Sequence, residues 1–229
     1  IRIPFGCMID PRVISEEWLG KLKGAGLREV YMGVQNIERI NRELYNRPIS
    51  NQQVLRAARI VHKLRVRGSY HLMLDDPIST SQDKRELFEF MMTFPRPFDI
   101  YLFSMTIFPK SLLAEKLLEK GLITENDIEG KANKVFKQWR VDLGYSRPKE
   151  DIFWTSLMVL IANSFIPKAF LHQLAESRFL FNHPKPLALF AQVCNILKTS
   201  FVIFLMILEG EMNFILFGRY LNPKSLITQ

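Results

Sequence analysis

The strongest constraint on this chain is an alternation of strand and helix patterns across residues 1–125. Residues 1–8, 28–34, 69–75 and 99–106 each read as a short apolar strand, with helical periodicity between them. Ser15, followed by Glu16 and Glu17, predicts a helix start, and Gly24 and Gly26 predict its end. Ser50 with Gln53 forms a capping box. Behind it, Val54, Ala57, Ala58, Val61 and Leu64 line one face of a helix that Gly68 ends. The helix over 82–94 stops at Pro95 and Pro97, and Ser111 opens another that ends at Gly121. Four strand–helix units in series predict an α/β fold with a parallel sheet and right-handed crossovers. A closed (β/α)8 barrel takes roughly 250 residues, so the expectation is a partial (β/α) barrel of about four parallel strands.

The pattern changes after residue 125. Residues 126–149 read as a polar linker holding Lys137, Trp139, Arg140, Tyr145, Arg147 and Lys149. Residues 150–229 read as an all-helical carboxyl-terminal region, with helices near 150–165, 168–181, 185–199 and 200–218. The apolar run Phe201–Leu208 is eight residues long, too short for the roughly 20 that cross a bilayer, although a helix lying on a membrane surface stays open. The chain starts at Ile1 inside an apolar run with no basic leader. That reads as a fragment of something longer, without a signal peptide.

The sequence has 31 Lys and Arg against 23 Asp and Glu, a net charge of +8. Read along the chain this surplus is spread out, so no nucleic-acid partner is expected. Cys7 and Cys194 are the two cysteines. They cannot build a disulfide framework, which points to a reducing, cytoplasmic setting.

In parallel α/β folds the working groups follow the carboxyl ends of the strands. That rule selects Cys7 and Asp10 after the first strand. It selects Gln35 and Asn36 after the second, then Arg39, Arg42, Tyr45 and Arg47 in a loop of about fifteen residues, far longer than the usual connection. Asp75 and Asp76 follow the third strand; Ser104, Thr106 and Pro109 follow the fourth. Asp75-Asp76-Pro77 is equally readable as a simple turn, Arg42 and Arg47 as solvated charges, and Cys7 as a small buried hydrophobe. No Gly-rich phosphate loop, HExxH helix or nucleophile elbow is present.

The stretches AGLREVYMGVQN (25–36), INRELYNRPIS (40–50), YHLMLDDP (70–77) and IYLFSMTIFPKSLLAEK (100–116) together resemble the radical S-adenosylmethionine family. The likeness is to the branch whose members often carry a cobalamin-binding domain ahead of the barrel. It covers residues 1–125. The resemblance implies that Gln35 and Asn36 meet the ribose and methionine parts of S-adenosylmethionine. It also implies that Leu72, Leu74 and Asp75 lie under the adenine, partly through their backbone, and that Phe103, Ser104 and Thr106 close the other side. Arg42, Arg47 and Asp76 would face the cofactor carboxylate or a small-molecule substrate. Arg suits that role because it grips a carboxylate bidentately.

The chain departs from the family pattern at several places. Asn36 replaces the usual Ser, Asp75 stands where many members have Gly, and Lys110 and Ser111 replace the Gly-Thr after Pro109. The CxxxCxxC loop that holds a [4Fe–4S] cluster is absent, and two distant cysteines do not replace it. The implied parent cleaves S-adenosylmethionine reductively and turns the 5′-deoxyadenosyl radical on a carbon centre, for methyl transfer or ring chemistry. The chain is then its carboxyl-terminal part, inactive alone, with the missing amino-terminal part as partner, no bound cofactor of its own, and cobalamin as an option for the parent. The alternative is a non-catalytic scaffold or membrane-surface protein using its apolar carboxyl-terminal helices.

Overall fold

The computed structural model describes residues 3–103, 105, 107–132 and 148–208. Among them, β1 (Phe5–Met8), β2 (Leu27–Gln35), β3 (Arg67–Met73) and β4 (Asp99–Phe103) form one sheet. Every pairing is parallel and the spatial order follows the chain, β1-β2-β3-β4. A doubly wound sheet reverses its strand order at a switch point. This one does not, which is consistent with part of an α/β barrel wall.

The helices are α1 (Glu16–Ala25), α2 (Glu38–Glu43), α3 (Asn51–Lys63), α4 (Ser81–Met92) and α5 (Leu112–Glu119). They continue as α6 (Glu125–Ala132), α7 (Lys149–Ile161), α8 (Lys168–Ala175), α9 (Arg178–Asn182) and α10 (Lys185–Leu208). The caps expected from sequence form: Ser15 accepts from Trp18 N, Ser50 and Gln53 cap each other, and Ser111 accepts from Ala114 N. A second capping box, Thr80 with Asp83, opens α4. Gly26 ends α1 at φ 122°, where a Cβ would lie 2.6 Å from the Ile3 carbonyl oxygen, so only glycine fits.

Several expectations are corrected. The fifteen-residue loop after β2 is not irregular throughout, because α2 occupies part of it. The span 168–181 divides at Ser177, whose hydroxyl caps α9. The helices expected at 185–199 and 200–218 are continuous as α10 to Leu208. The first seven residues of the expected linker region, 126–132, join a helix, α6. Ser104, Thr106, the stretch Lys137–Arg147 and residues 209–229 lie outside the described residues.

Alternation along the strands gives the sheet two different faces. Val30, Met32 and Val34 of β2, Tyr70 and Leu72 of β3, and the half-buried Ile100 and Leu102 of β4 belong to the apolar core. Leu19, Val54, Ala57, Val61, Leu87, Phe88 and Met91 supply the helical side of that core. The opposite face carries Glu29, Tyr31, Gly33, Ser69, His71, Met73, Asp99, Tyr101 and Phe103, most of them half-buried.

The helical region shares this core. Phe153, Trp154, Leu157, Met158, Leu160 and Ile161 of α7 are all buried, as expected of a helix covered on every side. α7 packs on α4, α8, α9 and α10, and Lys84 of α4 donates to Asp151 Oδ1 of α7 at 2.7 Å. At the amino-terminal end of β4, Lys198 of α10 donates to Phe98 O at 2.8 Å and Asp99 Oδ1 at 2.7 Å, while Arg67 meets Asp99 Oδ2 at 2.6 Å. Burial alone would raise the Asp99 carboxyl, but the two cations beside it hold it below its ordinary range.

Candidate functional site

The carboxyl ends of β2, β3 and β4 are tied to one another by polar contacts. Asn36, just past β2, donates its amide nitrogen towards Met73 O at 3.2 Å, Asp76 Oδ2 at 3.0 Å and Ser79 Oγ at 3.2 Å. Asp76 also accepts from Ile78 N at 3.1 Å, Ser79 N at 2.8 Å and Ser79 Oγ at 2.6 Å. Asp75 Oδ1 accepts from Met105 N at 2.9 Å, which joins the loop after β3 to the loop after β4.

Asn41, not singled out from the sequence, stands behind this bridge. Its amide nitrogen donates to Val34 O at 3.0 Å and Asn36 O at 2.7 Å, and its oxygen accepts from Asn36 N at 3.3 Å. Nothing in its spacing marks it; an asparagine in a polar loop earns notice only once the carbonyls it satisfies are seen. Asn41→Ala takes away the side-chain partner of Asn36 O, while Asn36 N and Val34 O keep their bond to each other at 2.9 Å. It is expected to cost about 1–3 kcal/mol in chemical denaturation, the usual cost of one buried polar group left without a partner.

Other groups at this end of the sheet differ from the scaffold in having unused capacity. Gln35 sits at a bulge between β2 and β3 with φ 63°. The left-handed turn folds its side chain back over Gly33, where a Cβ on Gly33 would fall 2.8 Å from Gln35 Nε2. Gln35 Oε1 is buried and has no hydrogen-bond partner. Arg47 comes in from the loop after α2. It donates from Nη1 to Gly33 O at 3.0 Å, and its Nη2 lies 3.5 Å from Asp10 Oδ2. Asp10 is gripped by Arg12 through both side-chain oxygens at 2.9 and 3.0 Å. Chiefly for that reason its carboxyl is pulled down to about 2, with Arg47 adding to the effect.

The Tyr45 hydroxyl is also buried without a partner. Burial, with help from Asp76 and Asp75 nearby, pushes its ionisation far above the ordinary range. Tyr45 is thus a neutral O–H beside two carboxylates. One end of the sheet therefore gathers an orphaned carbonyl oxygen (Gln35), an orphaned hydroxyl (Tyr45), a guanidinium (Arg47) and a carboxylate (Asp75). That set is suited to an amino acid zwitterion or a polyhydroxylated ligand.

Other sequence candidates are placed differently. Asn36 and Asp76 are brought to the site but spend their side chains on its framework, so Asp76 is a turn former as the simpler reading had it. Arg42 is not brought in: it pairs with Glu38 at 2.8 Å on the exposed side of α2. Arg39 binds Asp83 of α4. Leu72 and Leu74 are buried; Leu72 points into the core and pairs with Gln35 on one side and Leu102 on the other. Phe103 lies on the half-buried face, 4.9 Å from the His71 ring centroid. Ser104 and Thr106 fall outside the described residues. Cys7 is half-buried, with its thiol raised by burial, and Cys194 is buried on α10. Among the described residues no three His, Cys, Asp or Glu side chains converge as a metal site. With two cysteines in all, the chain does not fit a [4Fe–4S] cluster held by three thiolates.

His71 carries no signal in the sequence, since one histidine in an alternating strand is unremarkable. It lies at the centre of the half-buried face, with Phe103, Tyr101 and Tyr31 at centroid distances of 4.9, 5.4 and 6.0 Å. Burial lowers its pKa from 6.5, partly offset by Glu29. The unfolded chain therefore takes up a proton at higher pH than the fold does. Stability from this group is present above pH 6.5 and lost as pH falls through the window beneath it. An NMR titration of the His71 ring is expected to give a midpoint below 6.5.

No protein-family model and no curated protein matches the chain. Solved structures do. Elp3 of the archaeon Methanocaldococcus infernus is 20% identical, with a TM-score of 0.48 over 72% of this chain and 34% of that one. The radical S-adenosylmethionine methyltransferase TsrM of Kitasatospora setae, solved with cobalamin and a [4Fe–4S] cluster, is 16% identical. Its TM-score is 0.43 over 50% of this chain and 23% of that one. Coproporphyrinogen III oxidase, HemN, of Escherichia coli, a radical S-adenosylmethionine enzyme, is 15% identical, with a TM-score of 0.42 over 56% of this chain and 31% of that one. The chain spans about a third or less of each protein it resembles.

Proposed function

We propose that this chain forms part of a radical S-adenosylmethionine enzyme and supplies one side of the S-adenosylmethionine and substrate site. The observation that carries the reading is the pair of buried, unpartnered polar atoms, Gln35 Oε1 and Tyr45 Oη, at the strand ends beside Arg47 and Asp75. Arg47 pairs with the cofactor's carboxylate, Gln35 Oε1 accepts from its ammonium or a ribose hydroxyl, and Tyr45 donates to a remaining hydroxyl. The backbone of Leu72 to Asp75 and the ring of Phe103 border the adenine, with Ser104 and Thr106 beyond. Given one electron by the parent's cluster, S-adenosylmethionine would supply the radical chemistry, and it is also a methyl donor; the share of this chain's residues is position and exclusion of water. The cluster thiolates come from a polypeptide segment outside these 229 residues, and a cobalamin domain belongs to the same reading of the parent. The chain alone, supplied with iron and sulfide, is expected to leave S-adenosylmethionine intact. Release of 5′-deoxyadenosine by it would overturn the assignment of the thiolates to another segment. In departure from the expectation of no cofactor on the chain alone, S-adenosylmethionine is expected to bind it, and that binding, read by calorimetry, to weaken in Gln35→Ala and in Tyr45→Phe; affinity unchanged in both would count against the site.

A second reading rests on α10. Leu189, Phe190, Val193, Ile196, Leu197, Phe201, Phe204 and Ile207 are all exposed, and at 100° per residue they fall on one arc opposite the side packed on α7. Residues 185–204 are also long and apolar enough to cross a membrane by length and composition. In this reading a cytoplasmic chain rests on a bilayer through α10. Flotation with vesicles is the test: protein that stays at the bottom of the gradient removes it.

A further inference from the structure

We propose that the groove between α1 and α3 binds the phosphate backbone of a nucleic-acid strand. The groove encloses about 850 Å³ and is lined by Gln52, Gln53, Arg56, Arg59 and Lys63 of α3, with Leu55 and Ile60 as its apolar floor and Glu16 of α1 on the opposite side. Lys63 donates to both oxygens of Glu16 at 2.8 and 2.7 Å. That bridge fixes α3 against α1 and neutralises the one acid lining the groove. Arg56 and Arg59 are exposed and have no carboxylate partner among the described residues.

Charge is also less evenly spread than a reading along the chain suggests. Residues 12–67 hold twelve Lys and Arg against five Asp and Glu, +7 of the net +8. Several of these cations are paired with carboxylates of the same chain: Arg12 with Asp10, Arg39 with Asp83, Arg42 with Glu38, Arg67 with Asp99. The two groove arginines are not.

The arrangement favours a polymer of phosphates over other anions. Arg56 and Arg59 are one helical turn apart, about 4.5 Å along the axis, and planar guanidinium forks pair bidentately with phosphate. An exposed guanidinium holds one phosphate weakly, so useful affinity needs a ligand that presents phosphates in series. Gln52, and the amide nitrogen of Gln53 whose oxygen serves the capping box, can reach sugar or base edges. A bilayer is a poor match, because the exposed residues of α3 are Gln52, Gln53, Arg56, Arg59, His62 and Lys63, all polar. The proposal departs from the expectation of no nucleic-acid partner, which rests on the charge read along the chain.

The test is fluorescence anisotropy of labelled oligothymidylate with the full chain at low salt. Binding that weakens with salt is expected. In the Arg56→Gln/Arg59→Gln double variant the affinity falls about tenfold or more, and the log–log salt slope flattens by roughly 1.4, or 0.7 per lost phosphate contact. Arg56→Lys/Arg59→Lys keeps the charge and recovers most of the binding, and Arg42→Gln, on another surface, changes nothing. No binding by the wild type, equal binding by the glutamine variant, or equal competition by polyglutamate would each overturn the proposal.

Discussion

Gly33→Ala is expected to abolish most S-adenosylmethionine binding while leaving the fold in place. A Cβ at this position lies 2.8 Å from Gln35 Nε2 and 3.3 Å from Arg47 Nη1. Both are the far ends of flexible side chains, so the side chains yield and the strand does not. Stability is expected to change by less than about 1 kcal/mol, since no core atom moves. Binding suffers because two site groups are displaced together. A charge-assisted contact is worth roughly 1.5–3 kcal/mol and a neutral one about 1 kcal/mol, so affinity drops about a hundredfold. Equilibrium dialysis and a thermal melt on the same sample separate the two effects. An unfolded variant would mean the strand cannot absorb a methyl group; a folded variant with unchanged affinity would mean that Gln35 and Arg47 do not touch the ligand.

Lys84→Ala is expected to cost about 3–5 kcal/mol, the usual result of leaving one member of a buried ion pair alone. Lys84 and Asp151 are only 10% and 12% exposed at their side chains, and Glu150 lies 3.8 Å away as a second acid. The loss falls on the joint between α4 and α7, so the helices of the carboxyl-terminal region should loosen from the sheet together. Replacing both partners, as Lys84→Met with Asp151→Leu, removes the stranded charge and is expected to recover most of the loss. Urea denaturation of the two variants makes the comparison. A single variant as stable as the wild type would show that α7 is seated by its apolar contacts alone, among them Phe153 and Leu157.

The strands and most caps were legible because their signals are local. Ser50 and Gln53 sit three residues apart and face each other in one turn, and the apolar runs at 28–34 and 69–75 leave little choice but a buried strand. What escaped the sequence depends on contacts between distant residues. Asn41 matters through carbonyls that only the turn after β2 turns towards it. Gln35 and Arg47 lie over Gly33 because of a left-handed residue at a bulge, and φ is not written in a side chain. The separation of Arg47 from Arg42 is of the same kind: both read as loop cations, but α2 carries Arg42 to solvent beside Glu38 while the chain beyond it returns Arg47 to the strand ends. From sequence the span reads as two helices, 185–199 and 200–218, with polar Lys198, Thr199 and Ser200 at the junction. In the fold Lys198 instead reaches Asp99, so the interruption is an anchor rather than an end.

The claim on which the functional reading rests is that the carboxyl ends of β2, β3 and β4 make one ligand site. Backbone amide NMR of the whole chain, titrated with S-adenosylmethionine, tests it most directly. The expected result is a set of shifts confined to Gly33, Gln35 and Asn36, to Tyr45 and Arg47, and to Asp75 and Met105, all saturating with a single affinity. Shifts centred elsewhere, or none at these positions as the ligand is raised, would contradict it.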